Sequence, residues 1–332
     1  MNKRHLLPLF AAFVLWGSQY VISKVALRTI PPVTLLALRY LVSIPALFIV
    51  LKLRRALKPV EKGDWPILFA IGFTGYFASF CLQMLGIHRL TGSLSSLLGA
   101  MNPIFIPILA AFFLHERITP AKVACVALSM LGVVIIVGVG GTADAVGVLL
   151  MLASVFLWSA ASIIIRRVSG RYDPMQIALI AILCALPFTG AWSLIELQSN
   201  ICSFPTESIL AVLYMGILGT AVTHSLWNYS LRVMDASFCS MFYPMQPLVS
   251  SVLGVLFLHE AVTPSFVLGA LIICCGIVAA VLSAKPQKAQ GYGALPHRPT
   301  KGLSVFYRLF PSQTATTENL FGNLRAEILT FP

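Results

Sequence analysis

This chain says one thing twice, and that limits its fold more than any other feature. Residues 93–134 read SLSSLLGAMNPIFIPILAAFFLHERITPAKVACVALSMLGVV, and residues 237–278 read SFCSMFYPMQPLVSSVLGVLFLHEAVTPSFVLGALIICCGIV. The two align without a gap, with 14 of 42 positions identical. Leu114-His115-Glu116 returns as Leu258-His259-Glu260, and Thr119-Pro120 as Thr263-Pro264. An apolar sequence gives scattered matches by chance, not a tripeptide and a Thr-Pro in register. The chain is therefore two copies of one unit. The match extends outward: Leu15-Trp16 pairs with Leu157-Trp158 and Lys24 with Arg166 at an offset of 142, and Gly72 and Gly75 with Gly216 and Gly219 at 144.

Both arms of the repeated hairpin suit a bilayer. Residues 93–114 hold no charge, and residues 120–139 carry only Lys122, at their entrance. About 20 apolar residues cross the hydrocarbon at 1.5 Å per residue. Thr119 can cap the second arm and Pro120 suits its first helical position. Glu116 and Glu260 then sit at the membrane surface, paired with turn backbone or a nearby base. The same pattern along the chain predicts an all-α integral membrane fold of ten transmembrane helices. They cover residues 6–25, 33–51, 66–87, 93–114, 120–139, 145–165, 174–195, 208–230, 236–258 and 264–284. Residues 1–141 form one five-helix repeat, 142–284 a second, and 285–332 a polar cytoplasmic tail without apolar periodicity, read as disordered.

Five crossings is an odd number, so the second unit must run upside down relative to the first. Counting bases tests this. With the N-terminus inside, the inner segments before the tail hold 13 Lys and Arg and the outer loops 3. Both termini are expected to be cytoplasmic.

Composition agrees. Charged residues are 10% and mean hydropathy is +0.89, where a soluble domain carries about 25% charge. The net charge of +12 sits in short loops and the tail rather than on one face, which excludes a nucleic-acid partner. Six of the seven cysteines fall in apolar spans, so no disulfide framework and no metal-ligand spacing is present.

These residues resemble a known family. Ten spans in two inverted halves, Leu15-Trp16-Gly17 on span 1, Leu38-Arg39-Tyr40 on span 2, Asn102-Pro103 on span 4 and a Glu ending spans 4 and 9 are similar to the EamA-like members of the drug/metabolite transporter superfamily. The resemblance covers about residues 6–284; the tail departs from it. It implies secondary transport of small organic metabolites across the plasma membrane by alternating access, often export of amino acids or related compounds. It also implies a central cavity lined by spans 1, 3, 4, 6, 8 and 9.

Polar residues inside spans are the candidate site, because lipid penalises them. Pro103 and Pro247 each free a backbone carbonyl, and Asn102 and Gln246 precede them at symmetric positions. The two amides either serve the freed backbone or face the cavity, and both can hold. Trp16, Gln83, Asn102, Trp158, Trp227, Tyr243 and Gln246 are the expected substrate-binding residues. Aromatic faces and uncharged amides suit a zwitterionic or amphipathic solute, not a bare metal ion. Arg39 lies ~9 Å from the outer end of span 2 at helical rise. It either snorkels to the surface or is an electrostatic anchor for a substrate carboxylate or a cavity carbonyl, and the expected role is structural or gating. His224 is the one imidazole placed deep in a span. It is the candidate for a coupling proton, against a plain reading as a neutral hydrogen-bond donor between helices.

The alternative to a transporter is a membrane enzyme or a non-transporting membrane partner. An enzyme wants titratable pairs or a metal cluster at depth. All 11 acids fall in loops, span ends or the tail, and no nucleotide-binding loop is present. The expectation is a non-enzyme with no cofactor, whose partners are the bilayer, a small-molecule substrate and, as coupling ion, protons.

Overall fold

The computed structural model describes residues 6–90, 92–114, 116, 120–137, 144–258, 264, 267–269, 271–272 and 274–276. His115, Thr119, Glu260 and the tail fall outside these residues. Every regular element among the described residues is helical. In order they are α1 (Leu6–Ala26), α2 (Pro32–Leu53), α3 (Lys62–Arg89), α4 (Gly92–Gly99), α5 (Asn102–Leu114), α6 (Pro120–Val137), α7 (Ala145–Val168), α8 (Pro174–Ser199), α9 (Thr206–Val233), α10 (Ala236–Ser240) and α11 (Met245–Leu258). The described residues of the segment Val267–Gly276 are helical too. Six helices, α1, α2, α3, α7, α8 and α9, are long and apolar enough to cross a membrane. This is a multi-pass membrane protein.

The helix ends follow local chemistry. Pro32 and Pro174 open α2 and α8 at positions where a missing N–H costs nothing. The Asp144 and Asp173 carboxylates accept from Val146 N and Met175 N, each at 2.9 Å. At the far ends, bases meet free carbonyls. Lys24 Nζ donates to Ile87 O at 2.7 Å and Leu90 O at 2.6 Å, at the end of α3. Arg166 donates to Leu231 O at the end of α9. Lys24 and Arg166 are the pair that sequence offset 142 relates, and Ile87 and Leu231 are related by 144.

Two of the expected spans are not continuous helices. Span 4 divides into α4 and α5 at Ala100-Met101, and span 9 into α10 and α11 at residues 241–244. The cause is proline: Pro103 and Pro247 cannot donate, so the α-helical ladder cannot run through. Short i→i−3 bonds bridge both breaks, from Met101 N to Leu98 O (3.1 Å), Tyr243 N to Ser240 O (3.1 Å) and Gln246 N to Tyr243 O (2.9 Å). α3 and α9 carry a matching irregularity, a π-helical stretch at Ile71–Ser79 in one and Ile217–Val222 in the other.

Glycines set the closest approaches. A Cβ on Gly72 would lie 2.6 Å from Cys184 Cβ and 2.7 Å from the Ala181 carbonyl on α8. On Gly216 it would lie 2.6 Å from Val42 Cβ on α2. On Gly75 it would meet Ala161 of α7 at 2.7 Å, and on Gly219 the Gln19 amide carbon of α1 at 2.6 Å. α3 thus packs against α7 and α8 as α9 packs against α1 and α2.

Gly72→Ala should destabilise the protein by about 1–3 kcal/mol, since backbone cannot yield easily. Gly190→Ala on α8, where a Cβ meets nothing within 4 Å, is the control. Thermal unfolding in detergent should show a lowered midpoint for the first and none for the second; equal midpoints contradict the packing.

Candidate functional site

The two breaks face one cavity. Its wall includes Trp16, Gln19, Tyr20 and Ser23 of α1, Arg39 of α2, and Ser79, Phe80 and Gln83 of α3. Gly99 and Asn102 come from the first break, Ser154 and Trp158 from α7, and Tyr243 and Gln246 from the second break. The cavity volume is about 40 Å³. A water needs roughly 10–15 Å³ in this measure, so this conformation holds a few waters and must widen for an organic solute.

Each polar group is held by a neighbour. Asn102 Nδ2 donates to Gly99 O at 2.8 Å, the carbonyl that Pro103 leaves without an amide. Asn102 Oδ1 accepts from Ser159 Oγ at 3.0 Å, a hydroxyl that also faces Val155 O at 2.8 Å. Gln246 stands differently: its Oε1 is 3.4 Å from the Tyr20 hydroxyl. Gly99 admits that hydroxyl, for a Cβ there would lie 2.1 Å from Tyr20 Oη. Trp158 Nε1 donates to Tyr243 Oη at 2.5 Å, joining α7 to the second break. The rings form a box, with Trp158 5.9 Å from Trp16 and 5.1 Å from Phe80, and Trp16 6.0 Å from Tyr243.

Six of the seven expected binding residues, Trp16, Gln83, Asn102, Trp158, Tyr243 and Gln246, line this cavity. Trp227 does not. It is fully buried behind the wall against Phe13, Trp16 and Tyr243, at ring distances of 5.8, 5.5 and 5.6 Å. His224 also lies behind the wall, 4.9 Å from the Tyr76 ring and 5.6 Å from that of Trp16. Its Nδ1 is 2.9 Å from Thr220 O. A carbonyl only accepts, so Nδ1 carries the proton. His224 Nε2, Tyr76 Oη and Asn228 Oδ1 are buried without a hydrogen-bond partner.

Arg39 is not a snorkelling residue. It is 1% exposed, with Nε donating to Thr220 Oγ1 at 2.9 Å and its guanidinium carbon 5.6 Å above the Phe80 ring. Thr220 of α9 holds the side chain inside the bundle. Glu116 has partners well away from its own turn, whose residues 115 and 117–119 fall outside the described residues. Its carboxylate accepts from Ala236 N (2.9 Å), Ser237 N (3.1 Å) and Ser237 Oγ (2.6 Å), at the start of α10. Sequence reasoning left Gln19, Tyr20, Ser23, Ser79, Phe80 and Ser154 out of the wall. The first two share the helical face of Trp16, and that spacing was the available signal.

The EamA-like transporter family profile matches residues 4–138 and again residues 145–282. The chain belongs to this family. It is 26% identical over 297 residues to the uncharacterized transporter YvbV of Bacillus subtilis, covering 88% of this chain and 96% of that one. It is 26% identical over 307 residues to a protein of Escherichia coli named a probable amino-acid metabolite efflux pump, covering 89% of this chain and all of that one. A solved crystal structure superposes with a TM-score of 0.72 at 22% identity, over 85% of this chain and 98% of its own. This EamA-like protein is a membrane transporter.

Because Asn102 repairs its break directly and Gln246 does not, their truncation should differ. Asn102→Ala leaves the Gly99 carbonyl unpaired, a loss of about 1–3 kcal/mol. Gln246→Ala should cost less. Paired thermal melts in detergent check this, and a larger loss for Gln246→Ala contradicts the assignment.

Proposed function

We propose that this EamA-like protein is a secondary transporter of small organic metabolites, exporting amino acids or related compounds by alternating access in the plasma membrane. Its ten spans form two inverted five-helix repeats with both termini cytoplasmic. One observation carries the reading: the cavity wall is built from both halves at their related breaks, Gly99 and Asn102 from one and Tyr243 and Gln246 from the other. Residues 99 and 243 are related by the repeat offset of 144, as are 102 and 246. Broken helices meeting at one cavity are how inverted-repeat carriers expose backbone to a solute at depth.

Loop contacts support the topology. Asp64 meets Arg171 at 2.5 Å, Arg54 meets Asp173 at 3.9 Å and Arg166 meets Asp235 at 3.9 Å. All six residues lie on the expected inner side. Arg89 and Asp144, 3.0 Å apart, and Glu196 with Thr34, 2.7 Å from carboxylate to amide N, lie on the expected outer side. The E. coli relative's name supports efflux of an amino-acid metabolite.

Trp16, Trp158 and Tyr243 form the box that receives the solute, and Gln83, Asn102 and Gln246 supply polar contacts. Trp227 backs the box. A coupling proton is assigned to His224 Nε2, which has a free lone pair and whose ring lies 4.9 Å from that of Tyr76.

The test is time-dependent accumulation of unaltered solute in proteoliposomes. Trp16→Ala and Trp158→Ala should change uptake kinetics at unchanged protein level. His224→Gln should abolish accumulation driven by an imposed pH gradient while sparing downhill exchange. Unchanged kinetics in the tryptophan variants contradict the site, and unchanged pH-driven accumulation removes His224 from coupling.

A further inference from the structure

Arg39 has no carboxylate within 4 Å among the described residues. The described acids near helix ends are engaged elsewhere. Glu116 serves the start of α10, Glu196 serves Thr34, Asp64 faces Arg171 and Tyr172, Asp144 faces Arg89, and Asp173 faces Arg54. What Arg39 does have is a hydroxyl, Thr220 Oγ1, and the face of Phe80. Thr220 Oγ1 itself donates to Met215 O at 2.7 Å in the π-helical stretch of α9, so it is oriented to accept from Arg39. A guanidinium keeps its charge at any physiological pH. Burying it without a counter-ion is costly. A fold tolerates that cost where a ligand brings the missing charge.

The position fits such a role. Arg39 lines the cavity, and it is the one charged side chain among the described wall residues. No carboxylate in that wall offers an ammonium a partner. Beside Arg39 stands the Phe80 ring, with Trp158 next to Phe80 and Trp16 next to Trp158 on the same wall. The Trp16 Nε1–H is buried without an acceptor, a second unused donor on the same wall. A cation drawn to the ring faces would have to lie near Arg39 and meet its repulsion. A zwitterion places one of its two charges in that position.

Resting on the transporter reading above, we propose that the solute is an organic anion. It is a carboxylate on an apolar or aromatic body, with no ammonium group, whose carboxylate pairs with Arg39 while its body occupies the ring box. Planar, bidentate pairing is the interaction for which Arg rather than Lys is suited. Within the small organic metabolites of that reading, this selects the related carboxylates over free amino acids, since a free amino acid brings an ammonium for which the described wall has no counter-charge.

The experiment uses the full-length protein in nanodiscs and four matched probes: 3-phenylpropanoate, 3-phenylpropanamide, 3-phenylpropylamine and phenylalanine. Binding is read by calorimetry and tryptophan fluorescence. The propanoate should bind roughly 10- to 100-fold more tightly than the neutral amide, the range of a charge-assisted hydrogen-bonded pair. The amine should bind weakest. Arg39→Gln should erase the preference for propanoate over amide, bringing the two affinities to within about twofold of each other. Arg39→Lys should retain part of the preference. Amine or phenylalanine binding as tightly as the propanoate overturns the proposal, as does an Arg39→Gln protein that keeps the preference, or no binding of any probe. If Arg39→Gln does not fold, the probe ranking on the unmodified protein decides alone. Counterflow of the same probes in proteoliposomes separates the two claims. Arg39-dependent binding without counterflow supports the anion site and contradicts transport, whereas counterflow of the amine in preference to the propanoate supports transport and contradicts the anion site.

Discussion

Hydrocarbon offers no hydrogen-bond partner, and the rest of this structure depends on that fact. A helix that departs from its own ladder within the bilayer must find donors and acceptors in the protein. Among the described residues this fold departs at the two proline breaks and the two π-helical stretches, and there protein groups meet the freed backbone. Asn102 donates to Gly99 O. Gln19 donates to Gly219 O at 2.7 Å, and Tyr40 donates to Tyr76 O. At the second break short i→i−3 bonds take the load. The side chains that make these repairs come from helices that pack closely through glycine, and the polar cavity lies where the repairs converge.

For the six membrane-long helices the sequence was a good guide to where a span begins and ends, because those limits follow from hydropathy, proline and charge. α1 was expected at residues 6–25 and runs Leu6–Ala26; α7 was expected at 145–165 and runs Ala145–Val168. The pairing of Lys24 with Arg166 was readable as a repeat, although its purpose was not. Both close the end of a helix whose register they cannot reveal from sequence. Less legible were features fixed by tertiary contact. The π-helical stretches leave no composition signal. Arg39 seemed free to reach the surface because its distance from the span end permits it, but Thr220 and the Phe80 ring hold it inside. Trp227 shares the helical spacing of a wall residue yet sits one layer back, since Trp16 and Tyr243 occupy the space in front of it.

Charge is arranged by depth. Near the helix ends, carboxylates and bases meet each other or free backbone groups: Glu116 at α10, Glu196 at α2, Arg166 at α9. Such contacts join segments far apart in the chain. Glu116 follows the first broken span and holds the start of the second, so a change of angle at either would disturb both. Arg39 stands apart from this pattern, buried and without a carboxylate among the described residues. A coupling between surface latches and a deep cation is what a carrier needs if solute binding is to move helices.

Most of this account follows from one premise, that the second five-helix unit is the first turned over. The most direct test is a reporter sensitive to the side of the membrane, fused after residue 284 in one protein and inserted near Ser199 in another. The account predicts cytosolic behaviour for the first and external behaviour for the second. The same behaviour at both sites would contradict the inverted ten-span arrangement and the cavity drawn between its halves.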